Sequence, residues 1–228
     1  MKAPLRRVRN ILLAVVLIFA ASFAGADYYL RGHLYYTKRA VNFLVRNTWQ
    51  ALFPPTGPVR LYVRVEADQD YRSNHPDWRN RLPGLMDAVS ARFAEEFDIH
   101  LTILAVGGWD RPEELQDYSA ILIYAEKKID MRSAQILVLM TGKDEESGRP
   151  DRWVDVGVAH YMGNCVIVGE DFQLLHELGH LFGAVDYPPG SPGFASESIY
   201  SYKYADRTDR IDPANHDRIM RNKHRLLW

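Results

Sequence analysis

The stretch HELGHLFGAVD, residues 176–186, decides more about the fold and chemistry of this chain than any other segment. Histidines four positions apart lie on one face of a helix, so the imidazoles of His176 and His180 can reach one metal ion. Glu177 then lies beside that ion without having to bind it. Gly183 can take the left-handed conformation that ends a helix and turns the chain back, which makes Asp186 a third ligand.

The residue types in this stretch favour zinc. Zinc accepts imidazole nitrogen and carboxylate oxygen in a tetrahedral shell, and a catalytic site leaves the fourth position to water. The alternative is a buried amphipathic helix with hydrogen-bonded histidines. Burying two histidines and a glutamate without a metal or polar partners is costly, which disfavours that alternative. The sequence therefore predicts a zinc site made by His176, His180 and Asp186.

The same stretch resembles a known signature. HExxHxxGxx followed by His or Asp is typical of the metzincin zinc metallopeptidases, and the Asp variant is similar to that of bacterial snapalysin-type enzymes. The resemblance implies one catalytic Zn²⁺ held by His176, His180 and Asp186, with Glu177 as general base for a zinc-activated water. It also implies an α+β, zincin-like fold: a mixed, mainly parallel twisted sheet packed on helices, with an active-site helix and a short C-terminal subdomain.

Metzincins place a methionine in a tight turn beneath the zinc, which astacin-like and serralysin-like members write S-x-M-x-Y. Residues 198–202 of this chain are Ser-Ile-Tyr-Ser-Tyr, so Tyr200 stands at the position of the methionine. Either Tyr200 forms the hydrophobic floor, or the turn is built around Met220; the first is favoured. Tyr202 matches the tyrosine that binds zinc or steadies the oxyanion in those relatives. Its alternative is a half-buried aromatic in a tyrosine-rich loop.

The preference for Tyr200 rests on the C-terminal segment. Residues 211–228 predict a terminal helix, with Asp212 as N-cap and Pro213 at the first helical position. On such a helix Met220 is an ordinary core residue in step with Ile219.

Length and composition agree with a compact enzyme. The chain has 228 residues, a formal net charge of -1 and one cysteine. Without its N-terminal segments, about 170 residues remain, enough for one domain with a real core. The charge gives no case for nucleic acid as a partner. Cys165 excludes an intramolecular disulfide and is expected to be a buried strand residue.

The N-terminus predicts export. Arg6, Arg7 and Arg9 precede an uncharged run over 11–26, the order expected of a signal peptide or a short anchor. A cleaved signal within residues 1–26 and membrane attachment through residues 11–30 both remain open. Each places the catalytic domain outside the cytoplasm, in the periplasm, outside the cell or anchored to the membrane.

Residues 27–58 follow as a predicted helical stalk or linker that ends in a proline-rich breaker, with a short pro-segment as the alternative.

The catalytic domain is predicted over 59–228, with subdomains 59–183 and 184–228. Apolar periodicity predicts a helix at 85–97 and strands at 59–65, 100–106, 121–124, 134–140, 157–159 and 165–168. This order fits a mixed sheet packed on helices. By resemblance, residues 155–160 form the edge strand that pairs with an extended substrate, and His160 is an exposed histidine on its rim.

The sequence thus predicts an exported zinc endopeptidase that acts on proteins or peptides. A zinc amidase acting on cell-wall peptides and a non-catalytic extracytoplasmic metal-binding protein are the alternatives. Glu177 favours an enzyme, because a purely structural metal site would not require it. Nothing in the sequence indicates the oligomeric state.

Overall fold

A five-stranded mixed sheet organises the part of the chain that the computed structural model describes, residues 57–142, 157–161 and 163–224. The strands are β1 (Val59–Ala67), β2 (Ile99–Gly108), β3 (Ile136–Met140), β4 (Gly157–Ala159) and β5 (Cys165–Val168). Their order in the sheet is β2-β1-β3-β5-β4; neighbours among the first four are parallel, and β4 runs antiparallel to β5. The helices are α1 (Gln69–Asn74), α2 (Trp78–Phe97), α3 (Tyr118–Lys128), α4 (Leu174–Leu181) and α5 (Pro213–Asn222).

The predictions for the export segment and the stalk fall on residues 1–56, which lie outside the described residues. Within the described ranges, no helix is both long and apolar enough to span a membrane.

Burial explains why these segments are strands. Every side chain of β3 and β5 is buried, as expected for central parallel strands covered on both faces. Cys165 is among them, which confirms its predicted position. Strand β1, which lies next to the edge strand β2, buries Leu61, Val63 and Val65 on one face and exposes Arg60 and Tyr62 on the other.

The strand predicted at 121–124 is wrong. These residues belong to α3, whose N-cap Asp117 accepts a hydrogen bond from the backbone N–H of Ser119 at 2.7 Å. Ile121, Leu122 and Ala125 are buried at helical spacing. A four-residue apolar run has too few positions to distinguish the period of a strand from that of a helix. The N-cap residue Asp117 is the local signal that favours the helix.

The two faces of the sheet have separate cores. One core is formed by α2, α4 and α5 with alternate residues of β1, β3 and β5; in it Phe93 and Phe182 lie 5.8 Å apart between ring centroids. The helix predicted at 85–97 is α2, which already begins at Trp78. The second core lies on the other face, where α3 covers Leu137, Leu139, Cys165 and Ile167.

The C-terminal helix α5 begins as predicted. Asp212 is its N-cap and accepts from the backbone N–H of Asn215 at 3.0 Å, and Pro213 occupies the first helical position. Ile219 is fully buried, but Met220 is 37% exposed, so the prediction that it is a core residue is wrong. The register of α5 turns Ile219 to the core and its neighbour toward solvent.

Candidate metal centre

Helix α4 carries the two histidines and is anchored before its first turn. A 3-10 turn, Asp171–Gln173, leads into it from β5. Asp171 accepts a hydrogen bond from the Tyr71 hydroxyl at 3.1 Å and pairs with Arg81, which ties the start of α4 to α1 and α2. In the helix, His176 and His180 present their Nε2 atoms 3.0 Å apart.

The chain reverses after α4 as predicted. Gly183 has φ +87°, the left-handed conformation in which glycine has no steric penalty. Its N–H donates to the His180 carbonyl at 3.0 Å, and the N–H of Ala184 donates to the Gly179 carbonyl at 3.2 Å. The reversal brings the Asp186 carboxylate to 3.3 Å from His176 Nε2 and 3.4 Å from His180 Nε2.

The other ring nitrogen of each histidine faces a backbone carbonyl. His176 Nδ1 donates to Ile199 O and His180 Nδ1 donates to Ala184 O, both at 2.8 Å. A carbonyl only accepts, so each Nδ1 carries a hydrogen, and the Nε2 of a neutral ring keeps its lone pair. These bonds fix the tautomer and the ring orientation that metal-binding histidines use.

Burial and neighbouring charges shift the pKa values of His176 and His180 in opposite directions. Desolvation, with help from the neighbouring His180, lowers the pKa of His176 to about 4. Burial also opposes charge on His180, but the hydrogen bond and charge of Asp186 outweigh it and raise the pKa to about 9. Burial likewise opposes charge on Asp186, and the two histidines outweigh it and lower its pKa. These shifts favour a charged His180 paired with an ionised Asp186, and a metal ion bound at His180 Nε2 would displace the proton there.

The donor set fits a metal ion. Because His176 is neutral, its Nε2 lone pair faces the Oδ1 of Asp186, and that buried oxygen has no hydrogen-bond partner among the described residues. Two acceptors facing each other are unfavourable unless a cation lies between them. Ligand atoms of a tetrahedral zinc centre are about 3.3 Å apart at bond lengths of about 2.0–2.1 Å. Here the two Nε2 atoms are 3.0 Å apart, and Asp186 places its Oδ1 3.3 Å from His176 Nε2 and its Oδ2 3.4 Å from His180 Nε2.

Glu177 lies beside this cluster and depends on a glycine. Its side chain is buried, and its Oε1 is 3.7 Å from His176 Nε2. A Cβ on Gly157 would lie 2.7 Å from the Cγ of Glu177 and 2.8 Å from its Oε1. Any larger residue at Gly157 would displace the carboxylate. The spacing of residues along the chain does not reveal Glu177 as the partner of Gly157, although a glycine inside a short strand often marks a close approach of another group.

The edge strand β4 directs backbone groups away from β5 next to Glu177. The N–H of His160 donates to the Cys165 carbonyl at 2.9 Å, so in this antiparallel pair residues 158 and 160 face β5. Gly157 and Ala159 therefore direct their backbone groups to the outer edge. The predicted edge strand is present over Gly157–Ala159, and residues 155 and 156 lie outside the described residues.

The prediction of an exposed His160 is wrong. The side chain is half-buried, and its Nδ1 lies 2.9 Å from the Oε1 of Glu126 on α3. Helix α3 was not predicted, so its carboxylate could not be foreseen as a partner.

Tyr200 forms the floor of the cluster, as the favoured interpretation predicts. It is fully buried, with its ring centroid 5.0 Å from that of His176 and 5.6 Å from that of His180. Gly179 leaves room for its hydroxyl, which a Cβ at that position would overlap. Burial raises the pKa of Tyr200 well above 10, so the phenol is neutral. Met220 lies away on the exposed side of α5.

Tyr202 closes the same turn. It is partly buried, and its backbone N–H lies 3.4 Å from the Tyr187 carbonyl. Its role at the zinc stays a prediction.

The fold is similar to that of a protein of solved structure, archaemetzincin from Methanopyrus kandleri. The TM-score is 0.53 at 16% sequence identity, over 76% of this chain and 99% of that one. The likeness shows the fold alone, and it confirms the predicted class: a zincin-like, mostly parallel five-stranded sheet packed with helices.

A chain from a chaperone–substrate complex also matches, with a TM-score of 0.46 and 13% identity over 60% of this chain; this chain spans 25% of it. That similarity is too low to inform the function. No family model matches the chain, and no curated protein is similar to it in sequence.

Proposed function

We propose that this protein is a zinc-dependent metallopeptidase of the metzincin type that hydrolyses peptide bonds in proteins or peptides. The observation that carries the proposal is the convergence of His176 Nε2, His180 Nε2 and the Asp186 carboxylate within 3.0–3.4 Å of one another. The fold likeness to a protein named archaemetzincin supports it independently. The three residues would hold one zinc ion.

A zinc ion at this site would polarise a substrate carbonyl and make a water molecule acidic near neutral pH. Glu177 acts as the general base and then as the general acid. Its carboxylate is buried beside His176 and takes the proton of the attacking water, then passes it to the leaving amine. We propose that Tyr202, in the turn that also holds the floor residue Tyr200, steadies the negative charge on the carbonyl oxygen.

Substrate binding follows from the edge of β4. An extended peptide can add as a further strand, because the backbone groups of Gly157 and Ala159 face away from β5. Gly157 packs directly against Glu177, so a peptide bound along this edge runs past the base. Main-chain hydrogen bonds of this kind give affinity without requiring one particular side chain.

We further propose that the protein is exported. The support is the basic N-terminus followed by the uncharged run over 11–26, which acts as a signal or an anchor and leaves residues 27–58 as a stalk. Membrane attachment and secretion differ in whether residues 11–30 stay on the mature chain. Mass determination of the mature protein distinguishes them.

The proposal is tested on the full-length protein with a denatured protein as substrate. We expect about one equivalent of zinc, hydrolysis that stops with a chelator, and recovery when zinc is added back. Zinc binding without hydrolysis of proteins or of cell-wall peptides would instead indicate a non-catalytic metal-binding protein. Hydrolysis confined to cell-wall peptides would indicate an amidase, and a protein without metal affinity would contradict the proposal.

A further inference from the structure

The loop that carries Asp186 is held by an asparagine far away in the sequence. Asn215, in the first turn of α5, is fully buried. Its Nδ2 donates to the Val185 carbonyl at 3.0 Å, and its Oδ1 accepts from the Val185 N–H at 2.9 Å. The amide thus pairs with both backbone groups of the residue just before Asp186, as a neighbouring strand would.

The remaining hydrogen-bonding capacity of Asn215 is also used. Its Oδ1 accepts from Arg218 Nη1 at 3.1 Å, and its Nδ2 donates to the Asp212 carboxylate at 2.9 Å. The oxygen faces two donors and the nitrogen faces two acceptors, so only one orientation of the amide satisfies all four partners. A side chain with four satisfied bonds and no exposure is a rigid support.

The residue after Asp186 is held as well. The N–H of Tyr187 donates to the Tyr200 carbonyl at 2.7 Å, and its hydroxyl donates to Asp212 at 3.0 Å. Asp212 also accepts from the Ser198 hydroxyl at 2.8 Å. The turn that begins at Ser198 includes Ile199, whose carbonyl accepts a hydrogen bond from His176 Nδ1. The start of α5 therefore joins the turn behind the first histidine to the loop that carries the carboxylate.

From this arrangement we infer that Asn215 is a positioning residue, which orients Asp186 toward the metal centre by fixing the backbone of Val185. Asp186 lies in neither a helix nor a strand, so its own secondary structure does not fix its direction. The inference rests on the proposed function, because it assigns Asn215 a task only if Asp186 binds metal. Residues that support metal ligands typically change metal affinity 10–100-fold when they are removed.

The test measures zinc affinity of the full-length protein by competition with a chromophoric chelator, before and after Asn215→Ala. We expect the Kd for zinc to rise about 10–100-fold. The visible absorption of the Co²⁺-substituted protein should weaken, because the carboxylate no longer holds its geometry. Asn222→Ala is the matched control: it is an asparagine on the same helix whose amide donates to Phe182 O and Arg218 O. Its zinc Kd should stay within about twofold of the wild type, because Val185 keeps its support.

Unfolding of the metal-free proteins separates loss of affinity from loss of fold. If Asn215→Ala does not fold, Asn215→Ser takes its place, since its hydroxyl can still donate a hydrogen bond but is too short to pair with both backbone groups of Val185. An unchanged zinc Kd and cobalt spectrum in the folded variant would overturn this inference alone. A wild-type protein that binds no zinc would overturn the proposed function, and this inference with it.

Discussion

The two parts of the candidate metal centre are built in opposite ways. Helix α4 supplies His176, Glu177 and His180 within one turn and a half, so the helix period itself sets their relative positions. Asp186 comes from an irregular loop that reaches the same point through hydrogen bonds to Asn215, 30 positions away from Val185, and to the turn around Tyr200. One part is local in sequence, and the other is assembled by the tertiary fold.

The difference predicts where the site tolerates change. The helical part should fail mainly when its own side chains are altered, because the helix period determines the spacing of His176, Glu177 and His180. The loop part fails when distant residues are altered, even though those residues do not touch the metal. Substitutions in the two parts should therefore differ in kind as well as in size.

The largest effect is expected from Glu177→Gln. A catalytic base acts in the transition state, whereas ligands also hold the ion, so this variant should keep its zinc and lose hydrolysis by several orders of magnitude. Turnover of a denatured protein and zinc content are measured on the same sample. Comparable turnover by the variant would mean that another residue is the base, and the helical part would then supply ligands alone.

The next effect separates the two kinds of ligand. His180→Ala removes a ligand whose position is set by the helix, and we expect zinc content to fall from about one equivalent to near zero after dialysis. Asp186→Ala removes the ligand held by the loop, whose side chain is 31% exposed. Water can replace it there, so we expect weaker but measurable binding.

Metal analysis of both variants after the same dialysis provides the comparison. Full zinc occupancy in His180→Ala would refute the metal assignment. Equal loss in both variants would show that the loop ligand is as essential as the helical one.

The same division explains how much of this protein could be predicted from its sequence. Local spacing predicts the positions of His176, Glu177 and His180. Gly183 is a local signal for the chain reversal that brings Asp186 back to the histidines. The cap at Asp212 is also a local signal. The partners of Asn215 and Gly157 could not be predicted, because each partner lies at least 20 positions away in the sequence. The prediction of a strand at 121–124 was wrong because four apolar residues are too few to distinguish the period of a strand from that of a helix.

A third prediction concerns the floor that both parts share. Tyr200→Ala should leave a cavity beneath the histidines and lower the free energy of unfolding by about 3 kcal/mol. Tyr200→Met should be tolerated, because methionine is large, apolar and adapts to irregular gaps. Met220→Ala is the control: its side chain is partly exposed, so the change should stay within about 0.5 kcal/mol. Urea unfolding of the metal-free proteins measures all three, and a larger loss at Met220 than at Tyr200 would contradict the assignment of the floor.

The smallest effect tests the contact between the helix and its floor. Among the described residues the buried Tyr200 hydroxyl has no hydrogen-bond partner, and an unpaired buried polar group costs about 1–3 kcal/mol. Tyr200→Phe should therefore raise the free energy of unfolding, by about 1 kcal/mol. Gly179→Ala should lower it, although alanine normally favours a helix over glycine, because the added methyl group overlaps that hydroxyl.

In the double variant Gly179→Ala with Tyr200→Phe, the loss of unfolding free energy caused by Gly179→Ala should be smaller, because the overlapping oxygen is gone. Some loss should remain, because the ring carbon that carried the oxygen lies 2.9 Å from the new Cβ position. Urea unfolding of the wild type, the two single variants and the double variant completes the cycle. Strict additivity would show that the hydroxyl does not lie beneath Gly179. The Tyr200 hydroxyl and the helix would then be energetically independent, and the hydrogen bond from His176 Nδ1 to the Ile199 carbonyl would remain as the link between the helix and the turn.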